Sequence, residues 1–210
     1  MPARLRLTLV VATACLVAAL AAVVLLGDDD GSRAAGADPS GFHGALRPPE
    51  APAPSFRLHD QDGTVATMRE YHGRTVVVTF LYSTCEDTCP LTAQQIRGAL
   101  DDLGAQAPPV LAVSVDPRGD TPLHVRRFLV KQRLSGRMRF LIGTRAELEP
   151  VWRAYGIKPQ GEGFEHTAST VVVDGDGRQR LGYLTDQLTP EGLADDLRAL
   201  SGTDDAPAAR

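Results

Sequence analysis

The chain has 210 residues, is 43% hydrophobic and 23% charged, and carries a formal net charge of −4. That balance fits one globular domain with flanking segments and excludes an intrinsically disordered chain. Lacking a long basic run, the sequence also argues against nucleic acid as a partner, because neutralising phosphates needs clustered Lys and Arg.

From Leu7 to Leu26 the chain runs without a charge, and a helix of that length spans about 30 Å, the thickness of a bilayer core. Arg4 and Arg6 precede the run, and Asp28, Asp29 and Asp30 follow it. Basic flanks stay cytoplasmic, so residues 1–27 read as a single-pass transmembrane anchor in the plasma membrane, with everything after them extracytoplasmic. The competing reading is a signal peptide cut near Ala35-Gly36-Ala37, giving a secreted form, but that site lies far beyond the apolar run. A lipid-modified cysteine would close the run; Cys15 sits inside it and reads as membrane-facing.

Residues 28–54 are rich in Gly, Ala, Asp and Pro and read as a flexible tether. A folded domain is expected over 55–201, with a disordered tail at 202–210. Phe56 to Leu58 and Val65 to Met68 form an expected hairpin around Asp62-Gly63. Thr75 to Tyr82 is an apolar, β-branched run, the signature of a buried strand. A helix is expected over 88–103, a second buried strand over 110–115, and a helix over 122–134 capped by Thr121 with Pro122 at its first position. Then come a short strand at 139–142, a helix at 145–155 ended by Gly156, a hairpin of 169–173 and 178–184, and a helix from Pro190 to Leu200 capped by Thr189. Parallel strands with crossover helices, followed by an antiparallel hairpin, describe an α/β, thioredoxin-like three-layer domain: a mixed central sheet flanked by helices.

Two of the three cysteines fall in that domain, Cys85 and Cys89, at the junction of the first core strand with the first helix. Ligands and redox centres favour this position in α/β folds. A helix N-terminus favours the thiolate, the form that both a nucleophile and a metal ligand need. Two adjacent thiolates suit Cu(I), a soft ion. They are also close enough to oxidise to a disulfide, as an exported protein permits. A purely structural disulfide across so short a loop gains little, and one cysteine pair is half of a structural zinc site.

The segment Cys85-x-x-x-Cys89-Pro90, the run Val113-Ser114-Val115-Asp116-Pro117-Arg118-Gly119-Asp120-Thr121-Pro122, and His166-Thr167 ahead of a strand and Asp174-Gly175-Asp176-Gly177-Arg178 occur in the order of the Sco/SenC copper proteins. The domain resembles that family over nearly its whole length. The resemblance implies one copper, Cu(I) or Cu(II), per chain, held by Cys85, Cys89 and His166. It also implies a role as a copper chaperone for the binuclear copper centre of cytochrome c oxidase, so the expected partners are the oxidase's copper-containing subunit and another extracytoplasmic copper chaperone or a thiol reductant. Some members look more like thiol–disulfide oxidoreductases that reduce the copper-site cysteines of the oxidase, with Cys85 and Cys89 as a redox-active pair, so enzyme activity stays open. Glu86 and Gly119 depart from the family pattern, and neither is a proposed ligand. By position alone His166 is a loop histidine or a ligand. Thioredoxin-type reductases place a cis-proline facing the sulfurs, and no Pro occurs between Gly161 and Val173, which leaves that place to a ligand. Asp116, at a strand end before Pro117, either supports the copper site or caps its own turn.

Overall fold

The most apolar runs of the sequence form the centre of a mixed sheet. The computed structural model describes residues 41–158 and 169–204, all within the second of two units, 38–210. The strands are β1 (Ala45–Leu46), β2 (Arg57–His59), β3 (Val65–Thr67), β4 (Val76–Leu81), β5 (Val110–Ser114), β6 (Met138–Leu141), β7 (Ser169–Val173) and β8 (Gln179–Leu184). The helices are α1 (Thr88–Leu103), α2 (Pro122–Gln132), α3 (Arg145–Tyr155) and α4 (Pro190–Asp204). The main sheet has the order β1-β8-β7-β4-β5-β6, and β2 and β3 pair as a separate hairpin. β4, β5 and β6 are parallel, with α1 and α2 as the crossovers. β7 runs antiparallel to both β4 and β8. This is the expected mixed sheet flanked by helices.

Every residue of β4 and β5 is buried, as strands covered on both faces must be. Within β4 the one polar side chain, Thr79, pairs with Thr170 of β7 through hydroxyls 2.9 Å apart. On α3, Trp152 and Tyr155 are buried against the core as the spacing predicts, and the Trp152 indole N–H donates to the Ser114 carbonyl at 2.8 Å. Burying such a side chain stabilises by about 1.5–3 kcal/mol. α1 and α4 meet closely at Gly98, where a Cβ would lie 2.9 Å from the Pro190 ring.

Thr121 and Thr144 cap α2 and α3 through their hydroxyls. Arg133, in the left-handed conformation at φ 58°, stops α2 at Gln132, before the expected end at Leu134. α4 continues past Leu200 to Asp204, into the segment read as a tail.

The N-terminal side of the domain also differs from expectation. Within the stretch read as a tether, β1 pairs with β8, Pro52 bridges Arg178, and the buried Asp196 carboxylate accepts the backbone N–H groups of His43 and Gly44 and the Tyr183 hydroxyl. These hydrogen bonds extend the folded part back to about residue 43. The 7–26 run and its expected membrane anchor lie outside the described residues; among those described, no helix is long and apolar enough to cross a membrane.

Candidate metal centre

The site begins where β4 ends. The Val115 N–H donates to the Leu81 carbonyl at 3.0 Å, which holds the two parallel strand ends together. Beyond Leu81 the chain turns, with the Cys85 N–H directed at the Tyr82 carbonyl at 3.4 Å, and α1 starts at Thr88. Asp87 occupies the cap position without a side-chain cap bond. A sulfur takes that role: Cys85 Sγ accepts the Cys89 N–H at 3.4 Å and lies 3.8 Å from Thr88 Oγ1. First-turn N–H groups have no intrahelical partner, so the sulfur satisfies a donor that needs an acceptor. Pro90, two residues into the helix, has no N–H to satisfy.

The two thiols are not joined by a disulfide and differ in character. Burial raises the Cys85 thiol, but hydrogen bonds from the Cys89 and Asp87 N–H groups and the Tyr82 hydroxyl outweigh it, and the net direction is down. Cys89 is 1% exposed, and burial pushes its thiol well up. The helix start therefore activates one sulfur, where the sequence predicted the thiolate for both. Burial likewise raises Tyr82, with its bond to Cys85 adding to the effect.

Behind the loop, Asp120 ties three pieces together. Its Oδ1 accepts both the backbone N–H and the hydroxyl of Ser83, each at 2.6 Å. Its Oδ2 accepts the Ser114 hydroxyl at 2.6 Å. Burial raises this carboxyl above its ordinary value. Asp116 closes its own turn, its Oδ1 accepting the N–H groups of Arg118 and Gly119, and its charge also acts on Tyr82 and Asp120. The carboxylate packs over Gly119, where a Cβ would collide with it. Asp120 and Tyr82 are the residues that sequence reasoning did not single out.

The structure thus brings Cys85 and Cys89 together at one helix start. Two soft sulfurs are donors that fit Cu(I). His166 lies outside the described residues. Among those described, no group of three His, Cys, Asp or Glu side chains could hold a metal ion.

The family model SCO1/SenC matches residues 45–202. The protein SenC of Rhodobacter capsulatus is 31% identical over 171 residues, 73% of this chain and 74% of SenC. The structure of the copper-bound ScoI of Bradyrhizobium japonicum superposes with a TM-score of 0.58 at 28% identity, covering 71% of this chain and 99% of that one. BsSco, a cytochrome c oxidase assembly protein with a disulfide switch, superposes at 0.65 with 23% identity, over 74% of this chain and 97% of that one, and shares the thioredoxin-like fold.

Proposed function

The chain belongs to the SCO1/SenC family, and from that premise we propose that it is an extracytoplasmic copper metallochaperone. It takes one copper ion as cargo through Cys85, Cys89 and His166 and supplies it to the binuclear copper centre of cytochrome c oxidase. The observation that carries this reading is the pair of sulfurs, not joined by a disulfide, at the start of α1, one of them held by a first-turn N–H and a tyrosine hydroxyl. The copper bound by the Bradyrhizobium ScoI supports it. A resident Cys85–Cys89 disulfide is an off-state in this scheme, since both sulfurs must be reduced to hold copper.

The test is a Cu(I) titration of the reduced full chain carrying Cys15→Ala. One copper per chain is expected, with binding abolished by Cys85→Ser or Cys89→Ser and weakened at least about tenfold by His166→Ala, the loss of one of three ligands. Equal affinity in wild type and His166→Ala removes the three-ligand site; no binding at all removes the chaperone reading.

A second reading, thiol–disulfide reduction of the oxidase's copper-site cysteines, draws on the asymmetry of the thiols. An activated Cys85 beside a buried, protonated Cys89 suits an attacking and a resolving sulfur. It predicts reductase activity that survives His166→Ala and vanishes with either cysteine.

A further inference from the structure

Between the first turn of α1 and the flank of α2 lies a cavity of about 200 Å³. Cys85, Pro90 and Phe128 line it, together with His124, Arg127 and Lys131. Spaced three and four residues apart, the last three share one face of α2 and form a stripe about 10 Å long. No carboxylate among the described residues lines the cavity. Arg127 and Lys131 form no ion pair among the described residues, whereas the neighbouring Arg126 pairs with Asp62. The His124 Nδ1 lies 2.9 Å from the Gly119 carbonyl, which orients the ring. Arg127 and Lys131 thus place positive charge beside the Cys85 sulfur in a chain of net charge −4.

We propose that this groove docks an acidic, extended segment of the protein that exchanges with Cys85. In that segment a cysteine precedes or follows Asp or Glu residues that lie against Arg127 and Lys131. An extended chain advances about 3.3 Å per residue, so about three residues cover the stripe. Opposite charge gives register and encounter rate, and the apolar Pro90 and Phe128 supply the contact between them. The inference rests on Cys85 being the reacting sulfur of the function proposed above, but not on copper.

The test uses the reduced, copper-free full chain carrying Cys15→Ala. The probe is a nonapeptide with one cysteine followed by three Asp or Glu residues, its sulfur blocked as a mixed disulfide with thionitrobenzoate. The Cys85 thiolate attacks the peptide sulfur, the blocking S–S bond breaks, a Cys85–peptide disulfide forms, and the electron pair leaves on thionitrobenzoate, whose absorbance reports the rate. The acidic probe is expected to react at least about tenfold faster than its Asn/Gln twin at low salt. The ratio is expected to fall towards one in Arg127→Glu/Lys131→Glu and at high salt.

Equal rates for the two peptides, or a ratio that survives the charge reversal, overturn the proposal. So does an equally fast reaction with blocked mercaptosuccinate, which would make the groove a site for small carboxylated thiols. Copper titration of the double variant is expected to match wild type; a loss there would place the two residues at the metal and overturn the docking role. Failure of wild type to bind copper removes the chaperone reading and leaves the peptide result standing.

Discussion

Asp120 accepts three hydrogen bonds while only 5% exposed, two of them from Ser83 and one from Ser114. Asp120→Ala strands those donors, at a cost of about 1–3 kcal/mol for a buried group left without a partner. A lower urea midpoint and weaker Cu(I) binding are expected together, with Asp120→Asn intermediate because its amide oxygen still accepts. An unchanged midpoint and titration would show that the cysteine loop is held some other way. For Asp116, four residues earlier, the family resemblance left open a role beside the copper site or a cap on its own turn, and the turn hydrogen bonds are present. Both acids stand in one motif, and spacing alone does not say which turns inwards. The choice is made by Ser83 and Ser114, donors from two different strand ends that become neighbours only after β4 and β5 pair. Tyr82 was hidden for a similar reason, since it closes an apolar run and reads as core until its hydroxyl meets Cys85.

α3 shows how far local signals reach. Thr144 and Glu147 form a reciprocal cap, with the Thr144 hydroxyl accepting the Glu147 N–H at 3.3 Å and Glu147 Oε2 accepting the Thr144 N–H at 2.8 Å. Thr144→Ala is expected to cost about 1 kcal/mol in chemical denaturation. The bond from the Thr144 backbone N–H holds the Glu147 carboxyl below its usual value of 4.5. A depressed folded pKa contributes stability that is complete above the unfolded value and is lost as pH falls through the folded one. Glu147→Gln should therefore destabilise at pH 7, and its gap from wild type should close on acidification below 4.5; a gap constant down to pH 3 would sink the assignment. Elements announced by such caps, or by apolar runs like Val76-Val77-Val78, were legible in the sequence to within a residue or two, except for the end of α4, which lies four residues beyond the expected Leu200. β1 was not. Ala45-Leu46 is short and lies among Gly and Pro, and what orders it is far away in sequence, at Gly182 and at Asp196.

For the molecule as a whole, that N-terminal strap belongs to the stability of the domain. A chain beginning at residue 55, the expected boundary, would leave the buried Asp196 carboxylate without two N–H partners and the Gln179 amide without the Pro52 carbonyl. Relative to a chain beginning at residue 38, a loss of at least about 2 kcal/mol is expected, or about 4–8 °C in Tm for a domain of this size. Equal melting temperatures would mean that the strap is passive. The Thr79–Thr170 pair in the middle of the sheet has a different consequence. Around it β4 and β7 face each other valine to valine, Val76 to Val173, Val77 to Val172 and Val78 to Val171. Such strands could slide past one another by two residues at little loss of apolar contact, since a two-residue step keeps every side chain on its own face. Sliding would set each buried hydroxyl against a methyl group and leave it without a partner. One hydrogen bond thus acts as an alignment key: it favours a single register of two strands whose valines are otherwise interchangeable.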